Sequence, residues 1–160
     1  MNQMQEIQGA CDGTGRRFAL VASRFNGRLV ELMVDGALDC LREHGVAEGD
    51  LAVVRVPGAF EIPLALEALA AAGGWDGLVA LGIVIRGETP HFDYVCHEAS
   101  AGVARVSRKH RLPIGFGVLT TDDEEQAAAR CGGPKGNKGA EAALAALEMV
   151  GLLATLGGAS

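Results

Sequence analysis

The chain has 160 residues, of which 49% are apolar and 21% charged, with a formal net charge of -6. That length suits one domain, able to bury roughly 70% of its unfolded surface without disulfide or metal staples. The acidic balance excludes a nucleic-acid binder, which needs a basic face, and no stretch approaches about 18 continuous apolar residues, so no membrane partner is expected.

Residues 1–16 are polar and glycine-punctuated and read as an N-terminal arm. They lack the basic region followed by an apolar core that a signal peptide requires. A single domain over 17–156 follows, with a tail at 157–160. Residues 17–23 read as a buried strand. Asn26 is placed to cap a helix in which Val30, Val34, Leu38 and Leu41 recur at helical spacing, closed by His44-Gly45. Leu51–Val56 is β-branched and apolar, hence a strand, broken by Pro57-Gly58. Residues 61–72 form an Ala/Leu-rich helix with Pro63 in its first turn, where proline is tolerated. Gly77–Ile85 is a continuous apolar run of the kind found in strands buried on both faces. Thr89 as cap and Pro90 as first helical residue predict the next helix, with Phe92, Val95, Cys96, Ala99, Val103 and Val106 as its apolar stripe. Residues 114–120 are the fourth strand, and T-D-D-E at 121–124 reads as a capping box. A glycine-rich bend at 131–139 leads into a last helix ending near Leu156.

Strand and helix alternating four times with short connections predict a parallel sheet covered on both faces. The expected fold is a flavodoxin-like three-layer α/β/α sandwich on a four-stranded parallel sheet, with the arm available to extend a sheet. The high apolar fraction suggests surface reserved for partner subunits. Four scattered cysteines with no C-x-x-C pair read as reduced thiols in a cytoplasmic protein, not as a metal site.

In open parallel sheets, ligands bind outside the carboxyl ends of the strands. The segments there are R-F-N after the first strand, P-G-A-F-E after the second and R-G-E-T-P-H after the third. In the last of these, Gly87 allows close backbone approach, and the helix start offers free N–H groups and a positive dipole end, together an anion seat suited to phosphate. His91 lies in that first turn and is suited to proton transfer near neutrality. Phe25 reads either as a staple for the following helix or as a platform for a heterocycle. Glu61 reads either as a first-turn acid or as an acceptor for polyol hydroxyls. Arg130 and Lys138 flank the glycine bend and are the cations a phosphate would need. No G-x-G-x-x-G follows a strand, and neither a phosphate-binding P-loop nor a G-x-S-x-G elbow is present.

Together R-F-N, V-P-G-A-F-E-I-P, G-I-V-I-R-G-E-T-P-H-F-D-Y-V and G-N-K-G, in this order and spacing, resemble the 6,7-dimethyl-8-ribityllumazine synthase family over about residues 16–149. The resemblance implies condensation of 5-amino-6-(D-ribitylamino)uracil with 3,4-dihydroxy-2-butanone 4-phosphate, releasing phosphate and water without metal or organic cofactor. It implies that Phe25 stacks on the pyrimidine, and that Asn26, Ala59, Phe60 and Glu61 line the ring and ribityl pocket. Ile83, Val84 and Ile85 would read the pyrimidine edge through their backbone. Gly87, Glu88 and Thr89, with Arg130, would seat the phosphate, Glu88 through its backbone alone. His91 would transfer protons. Phe116, Arg130 and Lys138 would come from a neighbouring subunit of a homo-oligomer: a pentamer, or a sixty-subunit shell, towards which the short 131–139 bend leans. The arm would then add a strand to an adjacent subunit's sheet. A non-catalytic flavin- or lumazine-binding module, or a mainly structural shell protein, is the competing expectation. Such a module would have no use for His91, Arg130 and Lys138 together.

Overall fold

The computed structural model describes residues 2–157. Six strands and five helices follow the chain as β1 (Phe18–Ser23), α1 (Gly27–Glu43), β2 (Leu51–Val56), α2 (Ile62–Ala72), β3 (Gly77–Ile85), α3 (His91–His110), β4 (Ile114–Thr121), α4 (Glu124–Ala129), β5 (Cys131–Gly133), β6 (Gly136–Asn137) and α5 (Lys138–Leu156). The first four strands form one parallel sheet in the order β2-β1-β3-β4. This is the flavodoxin-like order, and the chain reverses direction across the sheet between β1 and β3. The glycine-rich bend is not structureless: β5 and β6 pair antiparallel as a small hairpin.

Period-two alternation divides the core into two layers. Phe18, Leu20 and Ala22 of β1 and Val79, Leu81 and Ile83 of β3 face α1 and α5. Ala19 and Val21, with Leu78 and Ala80, face α2 and α3. All six residues of β1 are buried, as an apolar run covered on both faces must be. Helix α1 contributes Leu29, Val30, Met33, Val34, Ala37, Cys40 and Leu41, a stripe at helical spacing. Helix α5 comes so close to β4 that a Cβ on Gly115 would overlap the backbone of Ala142, which explains a glycine inside that strand. By length and composition alone α5, with a mean hydropathy of 1.5, could cross a membrane. Here Ala142, Ala143, Ala146, Leu147 and Val150 of α5 belong instead to the α1-side core.

The arm divides in two. Residues 2–8 are exposed and carry neither strand nor helix. Beyond them, Gly9 and Ala10 lie against the backbone of α5 at Glu148, Gly151 and Leu152, and the Gly13 N–H donates to His44 O at 2.8 Å. Of the tail placed at 157–160, only Gly157 falls within the described residues.

Three caps differ from expectation. Asn26 has φ 57° and makes no side-chain cap on α1. Pro90 rather than Thr89 occupies the N-cap position of α3, so that His91 is the first helical residue. The capping box of α4 is shifted: Asp123 accepts from the Gln126 N–H at 2.8 Å, while Gln126 Oε1 accepts from the Asp122 N–H at 2.8 Å. In the last case two adjacent aspartates compete for one helix start, and β4 runs on through Thr121, leaving Asp123 as the first free acceptor.

Candidate active site

Three strand ends meet at the switch point of the sheet. The β1–β2 ladder continues past both strands, with Arg24 N–H donating to Val56 O at 2.8 Å and Phe25 N–H donating to Pro57 O at 3.1 Å. Phe25 is thereby held beside Pro57-Gly58, and the residue is 71% exposed. Asn26, freed from capping, donates from Nδ2 to the Ile83 carbonyl at 3.0 Å, tying the end of β1 to β3 across the switch point. That bond accounts for the left-handed backbone, which asparagine tolerates better than most residues.

After β2 the chain makes one 3₁₀ turn, Ala59–Glu61, before α2. A side-chain carbon at position 58 would lie at ordinary contact distance, 3.9 Å, from both carboxylate oxygens of Glu61, which places that carboxylate directly over the backbone of Gly58. After β3, the Arg86 N–H donates to Thr121 O at 2.8 Å and keeps the sheet paired up to the turn. Nothing lies within 4 Å of where a Cβ of Gly87 would stand, so its backbone faces open space. Helix α3 starts next, with His91 and Phe92 in its first turn. The unpaired N–H groups and dipole of a twenty-residue helix are directed towards this turn.

These loops enclose a cavity of about 710 Å³, within the range of small-molecule sites. It is lined by Phe25, Ala59, Phe60, Glu61, Ile83, Val84, Ile85, Gly87, Thr89 and His91, all singled out from the sequence, together with Pro57, Gly58, Phe92 and Val95. Phe92 and Val95 read from sequence only as core stripe. Their place one and four residues after His91, on the same turn of α3, was the signal that they also face the cavity. Asn26 lines a separate hollow of about 180 Å³ with Gly27, Arg28, Leu29 and Glu124. Glu88 is exposed and outside the lining.

The remaining candidates lie elsewhere in the protomer. Phe116 projects from β4 and is half exposed. Arg130 ends α4, its Nη1 donating to Gln126 O at 2.9 Å, and its own carbonyl accepts from the Lys138 N–H at 2.9 Å across the β5–β6 hairpin. The hairpin thus sets the two cations of the bend side by side, away from the cavity of their own chain. Among the described residues no cluster of three metal-ligating side chains occurs.

An open parallel sheet of this order, with an apolar-walled cavity, a carboxylate and a histidine at its switch point, defines a doubly wound α/β protein built to hold a small molecule on its loops. The sequence model of 6,7-dimethyl-8-ribityllumazine synthase matches residues 15–154. A 6,7-dimethyl-8-ribityllumazine synthase of Desulfovibrio desulfuricans is 51% identical over 156 residues, which cover 98% of this chain and all of the relative. The chain belongs to the 6,7-dimethyl-8-ribityllumazine synthase family.

Proposed function

We propose that the cavity at the β1, β2 and β3 ends binds 5-amino-6-(D-ribitylamino)uracil and presents it to 3,4-dihydroxy-2-butanone 4-phosphate seated on the turn at 87–89. The chain is an enzyme of riboflavin biosynthesis, a transferase that condenses these two into 6,7-dimethyl-8-ribityllumazine. The observation that carries the assignment is the meeting in one cavity of an exposed aromatic ring, a carboxylate, a helix-start turn and an imidazole. Phe25 offers a stacking face to the pyrimidine, with Ala59 and Phe60 around it, while Asn26 acts through its bond to the Ile83 carbonyl. Glu61 accepts from ribityl hydroxyls, and the backbone of Ile83, Val84 and Ile85 reads the ring edge. The N–H groups of Gly87, Glu88 and Thr89 seat the phosphate.

The chemistry asks little else of the protein. The 5-amino group attacks the ketone carbonyl and loses water to form an imine. Phosphate then leaves by elimination as the carbon beside the imine loses its proton. The resulting enol tautomerises to a ketone, and the ribityl-bearing nitrogen attacks that carbonyl and closes the second ring with loss of water. Each step moves protons, which His91 can relay, and ring closure needs the two substrates held face to face.

Arg130 and Lys138, with Phe116, complete the site from an adjacent subunit. The exposed apolar side chains Phe25, Phe60, Leu64, Tyr94 and Phe116 support such a neighbour. The assembly is a pentamer, and the short hairpin in place of an insertion favours the sixty-subunit shell. Strand β2 is an edge strand with partly exposed apolar residues, and the exposed residues 2–8 of an adjacent arm would pair there. Four free thiols support a cytoplasmic location. The single domain runs over 17–156.

Mixing the purified chain with both substrates tests the reading directly, followed through the absorbance of the lumazine product. Native protein should form it, and His91→Ala should form it roughly 10²–10⁴-fold more slowly. A native chain that binds the pyrimidine or riboflavin yet never forms the chromophore is a binding module instead. An unchanged rate in His91→Ala removes the imidazole from the mechanism.

A further inference from the structure

Arg86 stands between the last residue of β3 and the turn at 87–89, outside the cavity lining. Three neighbours hold its guanidinium. Nε donates to Asp122 Oδ1 at 2.9 Å, Nη1 lies 3.8 Å from Asp93 Oδ1 in the first turn of α3, and its central carbon stands 4.5 Å over the ring of Phe92. Phe92 is a wall of the cavity. Asp122 continues the connection: its N–H donates to the side-chain Oε1 of Gln126 at 2.8 Å, and the main-chain carbonyl of Gln126 accepts from Arg130 Nη1 at 2.9 Å. One guanidinium therefore joins the end of β3, the start of α3 and the cap of α4, the helix that aims Arg130.

We propose that Arg86 is a positioning residue that fixes both halves of the phosphate seat: the turn at 87–89 in its own subunit's site, and, through Asp122 and Gln126, the Arg130 guanidinium offered to the adjacent one. The inference rests on the assignment of the phosphate to that turn. Arg86 is not itself a phosphate ligand. Two carboxylates already engage its charge and would repel a second anion brought to the same group. Its ion pairs are half exposed, and such pairs add little to stability. What they supply is geometry, because a planar guanidinium can satisfy two carboxylates and stack on a ring at once. An ammonium cannot, so lysine should not substitute.

Steady-state kinetics on the full-length assembled protein test this, with each substrate varied in turn and inorganic phosphate as the competing probe. Arg86→Ala should raise both the KM for the phosphorylated ketone and the inhibition constant of phosphate by about tenfold, the scale of one lost charge-assisted hydrogen bond at the seat. The KM for the pyrimidine should stay nearly constant. Arg86→Lys should behave like alanine. Asp122→Asn, which keeps volume and removes the charge, should shift the same two constants in the same direction. The double variant should be no worse than Arg86→Ala, because both changes break one connection. Unchanged phosphate constants in both single variants overturn the proposal, as do equal rises in both KM values, which would mean general loosening. Arg130→Ala run alongside separates the two readings. If it weakens phosphate while Arg86→Ala does not, the positioning role fails alone; if neither affects phosphate, the phosphate seat itself is misassigned.

Discussion

Glu67 illustrates how far a half-buried charge near the surface of this fold can be organised. Its carboxylate accepts from Lys109 Nζ at 2.8 Å and lies 2.9 Å from His110 Nε2, joining α2 to the last turn of α3. The bond from Lys109, then that from His110, holds the Glu67 carboxyl below its ordinary value. A carboxyl whose pKa is lower folded than unfolded stabilises the fold above its unfolded value, and that contribution disappears as pH falls through the folded one. The melting midpoint of Glu67→Gln should therefore lie slightly below that of the native chain at neutral pH. The gap should close on acidification below the usual carboxylate range of about 4. A gap that stays constant down to the most acidic sample would show that the pair acts by packing rather than by charge. Glu67 carried no special signal in the sequence, since its partners lie more than forty positions away. Asn26 is the same lesson inside the site. Next to a helix it reads as a cap, but the acceptor that determines its conformation, the Ile83 carbonyl, is 57 residues distant.

Among the elements, the start of α5 depends on one side chain. Asn137 Oδ1 accepts from the N–H groups of Gly139 and Ala140 at 2.9 and 3.1 Å, and its Nδ2 donates to Leu32 O on α1 at 3.0 Å. One amide thus caps α5 and fastens it to its neighbour, and Gly36 leaves the space the amide occupies. Asn137→Ala loses both functions and should cost about 1–2 kcal/mol in denaturant unfolding, at the upper end for a helix cap. Asn137→Asp keeps the cap acceptor and loses the donor to Leu32, so it should recover part of the loss. A fully native Asn137→Ala would mean that packing of α1 on α5 alone sets the start of the helix. In the sequence this residue appears only as part of G-N-K-G, whose spacing carries the family resemblance but not the physical reason. The strands were more legible. Leu51–Val56 and Gly77–Ile85 have the predicted bounds, because a β-branched or apolar run ends where its turn residues begin. The hairpin of β5 and β6 was not legible, since glycines specify a bend without specifying what pairs across it.

For the whole molecule, the proposal that an adjacent subunit completes the site has a consequence measurable without a structure. If His91 and Arg130 of one site belong to different subunits, the impaired His91→Ala and Arg130→Ala chains, assayed at a ketone concentration well below KM, can complement each other when unfolded together and reassembled. Random mixing in a closed ring gives about a quarter of sites both native groups. Activity should rise to roughly that fraction of the native level, well above either parent. No gain on mixing would place both groups in one protomer's site.

The alternation of four parallel strands with helices, and the strand-end segments whose motifs mark the family, were contained in the sequence, because periodicity and turn residues are local and act within a few positions. Tertiary structure alone decided which strand ends adjoin, that Asn26 bonds across the switch point, and that Arg86 ties three elements together. Each of these depends on contacts between segments far apart in the chain, and no local pattern encodes the partner on the other side.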